Sequence, residues 1–537
     1  MTSDIPTENP HPFIKIRVKY RHTFDAVALL VYLLFVYSFA LWSHPIGRDY
    51  AHLADNGVSL PPIARELFAW EIGAFGDHAV WYRLVNLAFF YACMHGIYHF
   101  TNLTVRGFWW FGTFAACLFM ANPAHTEALV NLSGIGDIIP CFAGIVALLA
   151  YALHVYYGTW WTYPLPLAIA AIAMLLYPAN TFLFAVLVLY EYLAVVPDKR
   201  NWRRTIPLIL IGGIAVYVNR TSLLESFPGF GQMFGVLYFL FYPLGFLPET
   251  AHRFVEYPLL AWLSGALVVC LLVLILRKAN RPVILFGLLG MVLLRLHPGD
   301  RPIDPVHMIG GGQLLLPHVL FLISILGIIF RAMDHPRWRL PLVGLTSSIA
   351  AIFFAMQIIS NRTWHKTGIE VRQFQSAAVA YAEANPSSAL GILPDYQNLR
   401  GAPACFSDSI AYNTPFSKKV NAVSLLRMNA DAPRYLNVST DEWTTTGGVV
   451  EVHGKLPRDV SPWPMTWSRE GDVIETDAAR MTVQEVSEHG FSMVIEAHEG
   501  KALPAGIIPG DTRWYPDRGL LRARRDAALP ATGEKSP

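Results

Sequence analysis

Apolar runs constrain this chain more than any other feature. They lie at 25–43, 80–100, 107–121, 138–157, 161–178, 180–196, 206–219, 257–276, 282–296, 314–330 and 340–360. A hydrocarbon core about 30 Å thick needs roughly 20 mostly apolar residues in helical form, so these runs predict about eleven transmembrane helices. A further run, 229–247, contains Gly229, Gly231, Gly235, Pro243 and Gly245. It reads as a re-entrant or interfacial element, because non-helical backbone is tolerated at membrane depth only where protein or water covers it. Composition agrees: 15% of residues are charged, against about 25% in soluble domains. The net charge of +2 gives no reason to expect nucleic acid.

Basic residues set the orientation, since Lys and Arg are retained in cytoplasmic loops. Lys15, Arg17, Lys19 and Arg21 precede the first run, which lacks a small-residue cleavage site and reads as a retained span. Lys199, Arg200, Arg203 and Arg204 then fall inside. So do Arg277, Lys278 and Arg281, and Arg331, Arg337 and Arg339, provided that 229–247 does not cross. The N-terminus is therefore expected in the cytoplasm. Loops 43–79, 122–137 and 297–313, and all that follows 361, are expected outside.

The expected organisation has four parts: a cytoplasmic segment 1–24, a membrane domain 25–363, an extracytoplasmic domain 364–522 and a disordered tail 523–537. Residues 364–385 carry helical spacing and stop before Pro386. Short β-like runs such as GGVVEVHGKL and FSMVIEAHEG follow, so the outer domain is expected to be α+β or β-rich. Cys93, Cys117, Cys141 and Cys270 lie in apolar runs and read as small hydrophobes, and Cys405 has no local partner.

Two outer loops concentrate polar chemistry. NPAHTEALVNLSGIGD, 122–137, places His125, Glu127 and Asp137 between two spans. Polar groups wedged between apolar spans tend to line a site or a watery cavity. Asp137, at the start of the next span, reads equally as a helix cap favoured by the positive end of the helix. SHPIGRDYAHLADNG, after the first run, offers His44, Arg48, Asp49, His52, Asp55 and Asn56. No spacing there is a strong metal-ligand signature.

These residues resemble the type C, multi-span glycosyltransferases that use lipid-phosphate-linked sugars. The likeness is nearest to the membrane regions of the protein O-mannosyltransferase-like proteins with tetratricopeptide repeats and their bacterial relatives. Asn122, Pro123, His125, Thr126, Glu127, Ala128, Gly134 and Asp137 match that group's outer-loop pattern, and Asp49 and Asn56 match its first loop. The likeness spans about residues 20–385. It departs at three places: Ile135 replaces an Arg, Tyr177-Pro178 replaces Lys-Glu, and Gly311-Gly312 replaces Glu-Arg. The C-terminal part has no tetratricopeptide pattern.

The resemblance implies inverting sugar transfer from a polyprenyl phosphate to a hydroxyl on a protein, lipid or glycan, outside the cytoplasm. Asp49 is the implied general base. Arg48, His52, Asn56, His125, Glu127, Asp137, Arg301 and His307 are the expected substrate-binding residues. Arg295 and His297 are further sources of positive charge. Some enzymes of this type use a divalent metal; no ligand pair marks one here, so a metal is allowed but not required. The expected location is a multi-pass position in a bacterial inner membrane. The rival reading is a non-catalytic relative, a membrane scaffold that presents its C-terminal domain to partners. A transporter is a third option, although only 229–247 looks broken.

Overall fold

The computed structural model describes residues 21–46, 49–105, 110–159, 162–220, 281–295, 311–333 and 336–384, followed by strands between 390 and 523. The expected span at 257–276 and the broken run at 229–247 lie outside the described residues.

The apolar runs form helices: α1 (Arg21–Val36), α2 (Pro62–Phe75), α3 (Ala79–Val105), α4 (Phe111–Met120), α5 (Ile135–Tyr157), α6 (Pro164–Leu176), α7 (Leu183–Leu189), α8 (Thr205–Val218), α9 (Arg281–Leu294), α10 (Leu315–Met333) and α11 (Pro336–Ala384). Among the described residues, Leu132–Tyr157, Gly312–Ile329 and Arg339–Ile369 are helices long and apolar enough to cross a membrane. The other apolar helices there, such as His22–Val36 and Pro282–Leu294, are shorter. α3 is long, but Arg83, Asn86, His95 and His99 interrupt its apolar character.

Side-chain pairs fix the relative directions. His22 and Ala26 of α1 meet Tyr98 and Tyr91 of α3, while Leu41 and Ser43, past the other end of α1, meet Arg83. α1 and α3 are thus antiparallel. Ser324 of α10 donates to the Ile284 carbonyl of α9, and Leu320 packs on Gly290, so that pair is antiparallel too. α11 runs parallel to α1: Phe354 stacks on Tyr32, and Asn361 donates to the Val36 carbonyl.

This alternation gathers the loop after α1, the loop after α4 and the turn that opens α10 at one end of the bundle. α10 is largely buried there, with His318 and Ser324 inside. α11 shows Leu340, Leu345 and Ile352 on its open face, and α1 shows Val31 and Phe35. Single exposed apolar residues are ordinary. Whole helical faces of them suit contact with lipid.

Beyond Ala384 the described elements are strands. The largest sheet has five, ordered Ser439–Thr446, Val449–Lys455, Gly490–Ala497, Ala479–Ser487 and Val473–Glu475, all antiparallel. Smaller sheets of three and four strands contain parallel pairs, Leu390–Ile392 with Ala422–Ser424 and Asp395–Leu399 with Arg427–Asp431.

Candidate active site

The loop that follows α4 is built inward. Asn122 caps a short 3-10 turn, its Oδ1 accepting from the Ala124 N–H at 2.9 Å. A five-residue helix, Thr126–Val130, and a second 3-10 turn, Leu132–Gly134, lead into α5. All of 121–136 is buried. The tightness explains Gly134: a Cβ there would lie 1.8 Å from the Ala128 carbonyl oxygen.

Arg83 holds this loop to the first one. It is fully buried in α3 and donates to the carbonyls of Val130 at 2.6 Å, Leu41 at 3.4 Å, Ser43, and His44 at 3.3 Å. Carbonyl oxygens thus satisfy the donors of a charged fork that would be costly to bury alone. Asn86, one turn on, donates to the Asn131 carbonyl at 2.8 Å.

Asp49 opens the short helix Asp49–Ala54 and is fully buried. Its Oδ1 accepts from both the N–H and the hydroxyl of Ser133, each at 3.3 Å. Burial pushes its carboxyl up to about 6, against the opposing pull of Arg83 and of backbone donors at Ser133, Ile46 and Leu132. That lies in the range where a carboxylate works as a base near neutral pH.

His125 pairs with a residue the sequence pattern does not single out. Its Nε2 lies 2.9 Å from Nδ1 of His318 in α10, and His318 Nε2 lies 3.2 Å from the Asn122 amide nitrogen. The Asn122 oxygen is already used as the cap, so the amide NH2 donates and His318 Nε2 accepts. His318 Nδ1–H then donates to His125 Nε2, and the His125 proton sits on Nδ1. That Nδ1 has no hydrogen-bond partner among the described residues. Burial, and next to it His318, holds His125 well below the usual imidazole range, so it is neutral. Thr126, beside it, meets Ser360 and Gln357 of α11 at 3.0 Å. Glu127 is buried.

A cavity of about 110 Å³ opens next to this loop. Its polar lining is Ser59, Ser133, Asp137, Asn180, Arg295 and Gln313. It lies at the starts of α5 and α10 and the end of α9. Asp137 packs so closely on the 3-10 turn Gly311–Leu314 that a Cβ on Gly312 would be 2.3 Å from its Oδ2. The missing side chain of Gly312 leaves the space that the Asp137 carboxylate occupies. Two helix N-termini with a guanidinium nearby favour an anion.

The expected residues thus divide. Asp137 lines the cavity, and so does Arg295. Asp49 reaches it only through Ser133, which lines it. His125 and Glu127 are buried in packing and do not line it. His52 is buried with Nδ1 2.9 Å from the Ser59 hydroxyl, and Asn56 is exposed in the turn before Gly57. Arg48, His297, Arg301 and His307 lie outside the described residues. Among the described residues, no three His, Cys, Asp or Glu side chains are grouped to hold a metal ion. Ser133, Arg83 and His318 were missed. For Arg83 and His318 a signal existed: an ionisable residue inside an apolar run marks a functional or structural site by default.

No protein-family model matches the chain, and no curated protein matches it. Among solved structures it is similar to the Archaeoglobus fulgidus oligosaccharyltransferase in complex with zinc and sulfate, at 11% identity and a TM-score of 0.36. The match covers 68% of this chain and 59% of that one, so this chain spans about three fifths of that protein's length. A TM-score that low fixes neither a shared fold nor a shared chemistry.

Proposed function

We propose that the chain is a membrane glycosyltransferase. It would move a sugar, with inversion, from a polyprenyl phosphate to a hydroxyl acceptor at the end of the bundle that carries Asp137, taken as the extracytoplasmic face. One observation carries this reading: the two loops that resemble type C enzymes meet at one cavity, joined by the Asp49–Ser133 hydrogen bonds.

In the step itself, the acceptor oxygen attacks the anomeric carbon. The bond from that carbon to the phosphate oxygen breaks, and the lipid phosphate leaves with the bonding electrons. The acceptor proton passes to the Ser133 oxygen as the Ser133 proton passes to Asp49. Asp49 acts as general base through that hydroxyl, an effect typically of about 10²–10⁴-fold. Arg295 and the N-termini of α5 and α10 stabilise the growing phosphate charge, with Arg48 and Arg301 as further cations. The cavity is far smaller than a whole ligand site of roughly 300–1,000 Å³. It suits the phosphate, the anomeric carbon and the reacting hydroxyl, with the rest of the sugar and the prenyl chain extending beyond it.

Asp49→Asn is the test. Transfer, read as the host's envelope glycan profile with the protein at its normal level, is expected to fall by about 10²-fold or more. An unchanged profile in Asp49→Asn and in Arg295→Gln removes the enzyme reading and leaves a scaffold.

A further inference from the structure

α2 does more than connect. Its start, with Ser59, Leu60 and Pro61, walls the cavity. Its inner face, with Leu60, Ala64 and Phe68, packs in a cluster with Tyr82 of α3 and Ile135 and Ile139 of α5. Its outer face shows Ile63 and Trp70, and Trp81 beyond its end is also exposed. Backbone of positive φ brackets it: Asn56 at +51° and Gly57 at +73° before it, and Gly76 at +56° after it. Gly57 and Gly76 take those angles without the steric cost other residues would bear.

Glu71 lies on the inner face and is fully buried, yet among the described residues neither of its carboxyl oxygens has a hydrogen-bond partner. A buried polar group left unpaired is rare and costly. A charge there would be far costlier still.

We propose that α2 is a movable wall of the cavity, latched shut by its apolar packing while Glu71 stays neutral and released when that carboxyl ionises. The inference adds regulation to the site described above. It does not require that the site be a glycosyltransferase.

Among the described residues, the surroundings of Glu71 supply no compensating charge. α3 presents Tyr82, a neutral phenol whose hydroxyl is donated to the Gly76 carbonyl at 2.9 Å. Asp77, in the link to α3, acts on Tyr82 alongside Glu71 and is an acidic residue, so it brings no positive charge. α5 adds Ile135, Ile139 and Ala143 to the cluster, and Leu132 and Tyr177 join it, none of them a charged residue. On α2 itself Arg65 and Glu66 pair with each other at 3.0 Å in solvent. Burial alone therefore raises the carboxyl from 4.5 to about 8. The sign follows by linkage. The latched state holds the proton up to about 8, and the released state gives it up above about 4.5. Between those values only the latched state carries it, so rising pH favours release, by up to about tenfold per pH unit. Below and above that window the preference is flat.

The experiment is amide hydrogen exchange of residues 57–76 in the full-length protein in detergent, corrected for the intrinsic pH dependence of exchange. Between pH 5 and pH 7, protection in the wild type is expected to fall at least tenfold. In Glu71→Gln, which stays neutral, it is expected to change less than twofold. If Glu71→Gln fails to fold, Glu71→Met serves the same purpose. A wild type with no pH response overturns the proposal, and so does a variant that responds as the wild type does. Because the readout is not activity, loss of the transferase reading would leave this result standing, and the reverse holds.

Discussion

The loop from Asn122 to Asp137 has two halves with opposite fates. The first half, through Val130, turns its polar groups into the protein. His125 meets His318, Thr126 meets Ser360, and Glu127 is buried. The second half turns Ser133 and Asp137 to a cavity shared with Arg295. The difference lies in what stands opposite. α10 and α11 bring polar side chains that satisfy the first half, whereas the second half faces the gap left where α5, α9 and α10 end. Polar residues at one membrane depth thus serve packing or chemistry according to the neighbour, and residue type alone does not tell them apart.

Three substitutions break or sharpen that contrast. Arg83→Met has the largest expected effect, because Arg83 ties both loops through four carbonyls and faces Asp49. Leaving Asp49 as an uncompensated buried charge should cost about 3–5 kcal/mol, read as thermal or denaturant stability in detergent. A loss below about 1 kcal/mol would show that the loops hold together without it. His318→Phe comes next. It keeps the ring but leaves the Asn122 amide and His125 Nε2 unpaired, at about 1–3 kcal/mol. If the first half is packing alone, glycan transfer per folded molecule stays as in the wild type; a large loss of transfer with normal stability would make His125 part of the chemistry after all. Gly312→Ala comes last, at about 1–3 kcal/mol, since the added methyl would lie 2.6 Å from the Asp137 Cβ as well as 2.3 Å from its Oδ2, so that backbone must give way. Its effect on transfer should exceed its effect on stability, because the new methyl takes the space of the Asp137 carboxylate.

Much of the helical frame was legible in the apolar runs, because a run of that length has few alternatives in lipid. The run at 80–100 appears as one helix of 27 residues, and the run at 138–157 as one of 23. Three helices of membrane-crossing length and hydropathy stand among the described residues where eleven spans were expected. The candidate loops were legible as polar islands, and Asp137, expected at the start of a span, lies in the first turn of α5 and lines the cavity. The pairing of His125 was not. Its partner is 193 residues away, inside a run whose single histidine looked incidental.

The chain's own order of residues decided that apolar helices alternate with charged links, and that Asn122, Gly134 and Asp49 sit in loops between them. Those are local facts, set by side-chain hydropathy and by the backbone each residue tolerates. The tertiary structure decided which polar groups would be left facing open space. Gly311–Leu314 gives way to Asp137, Ser133 stands between Asp49 and the cavity, and α2 carries Glu71 to an apolar cluster where no described residue pairs with it. Such outcomes depend on contacts between segments far apart in sequence, where close packing leaves one arrangement and no local pattern records it.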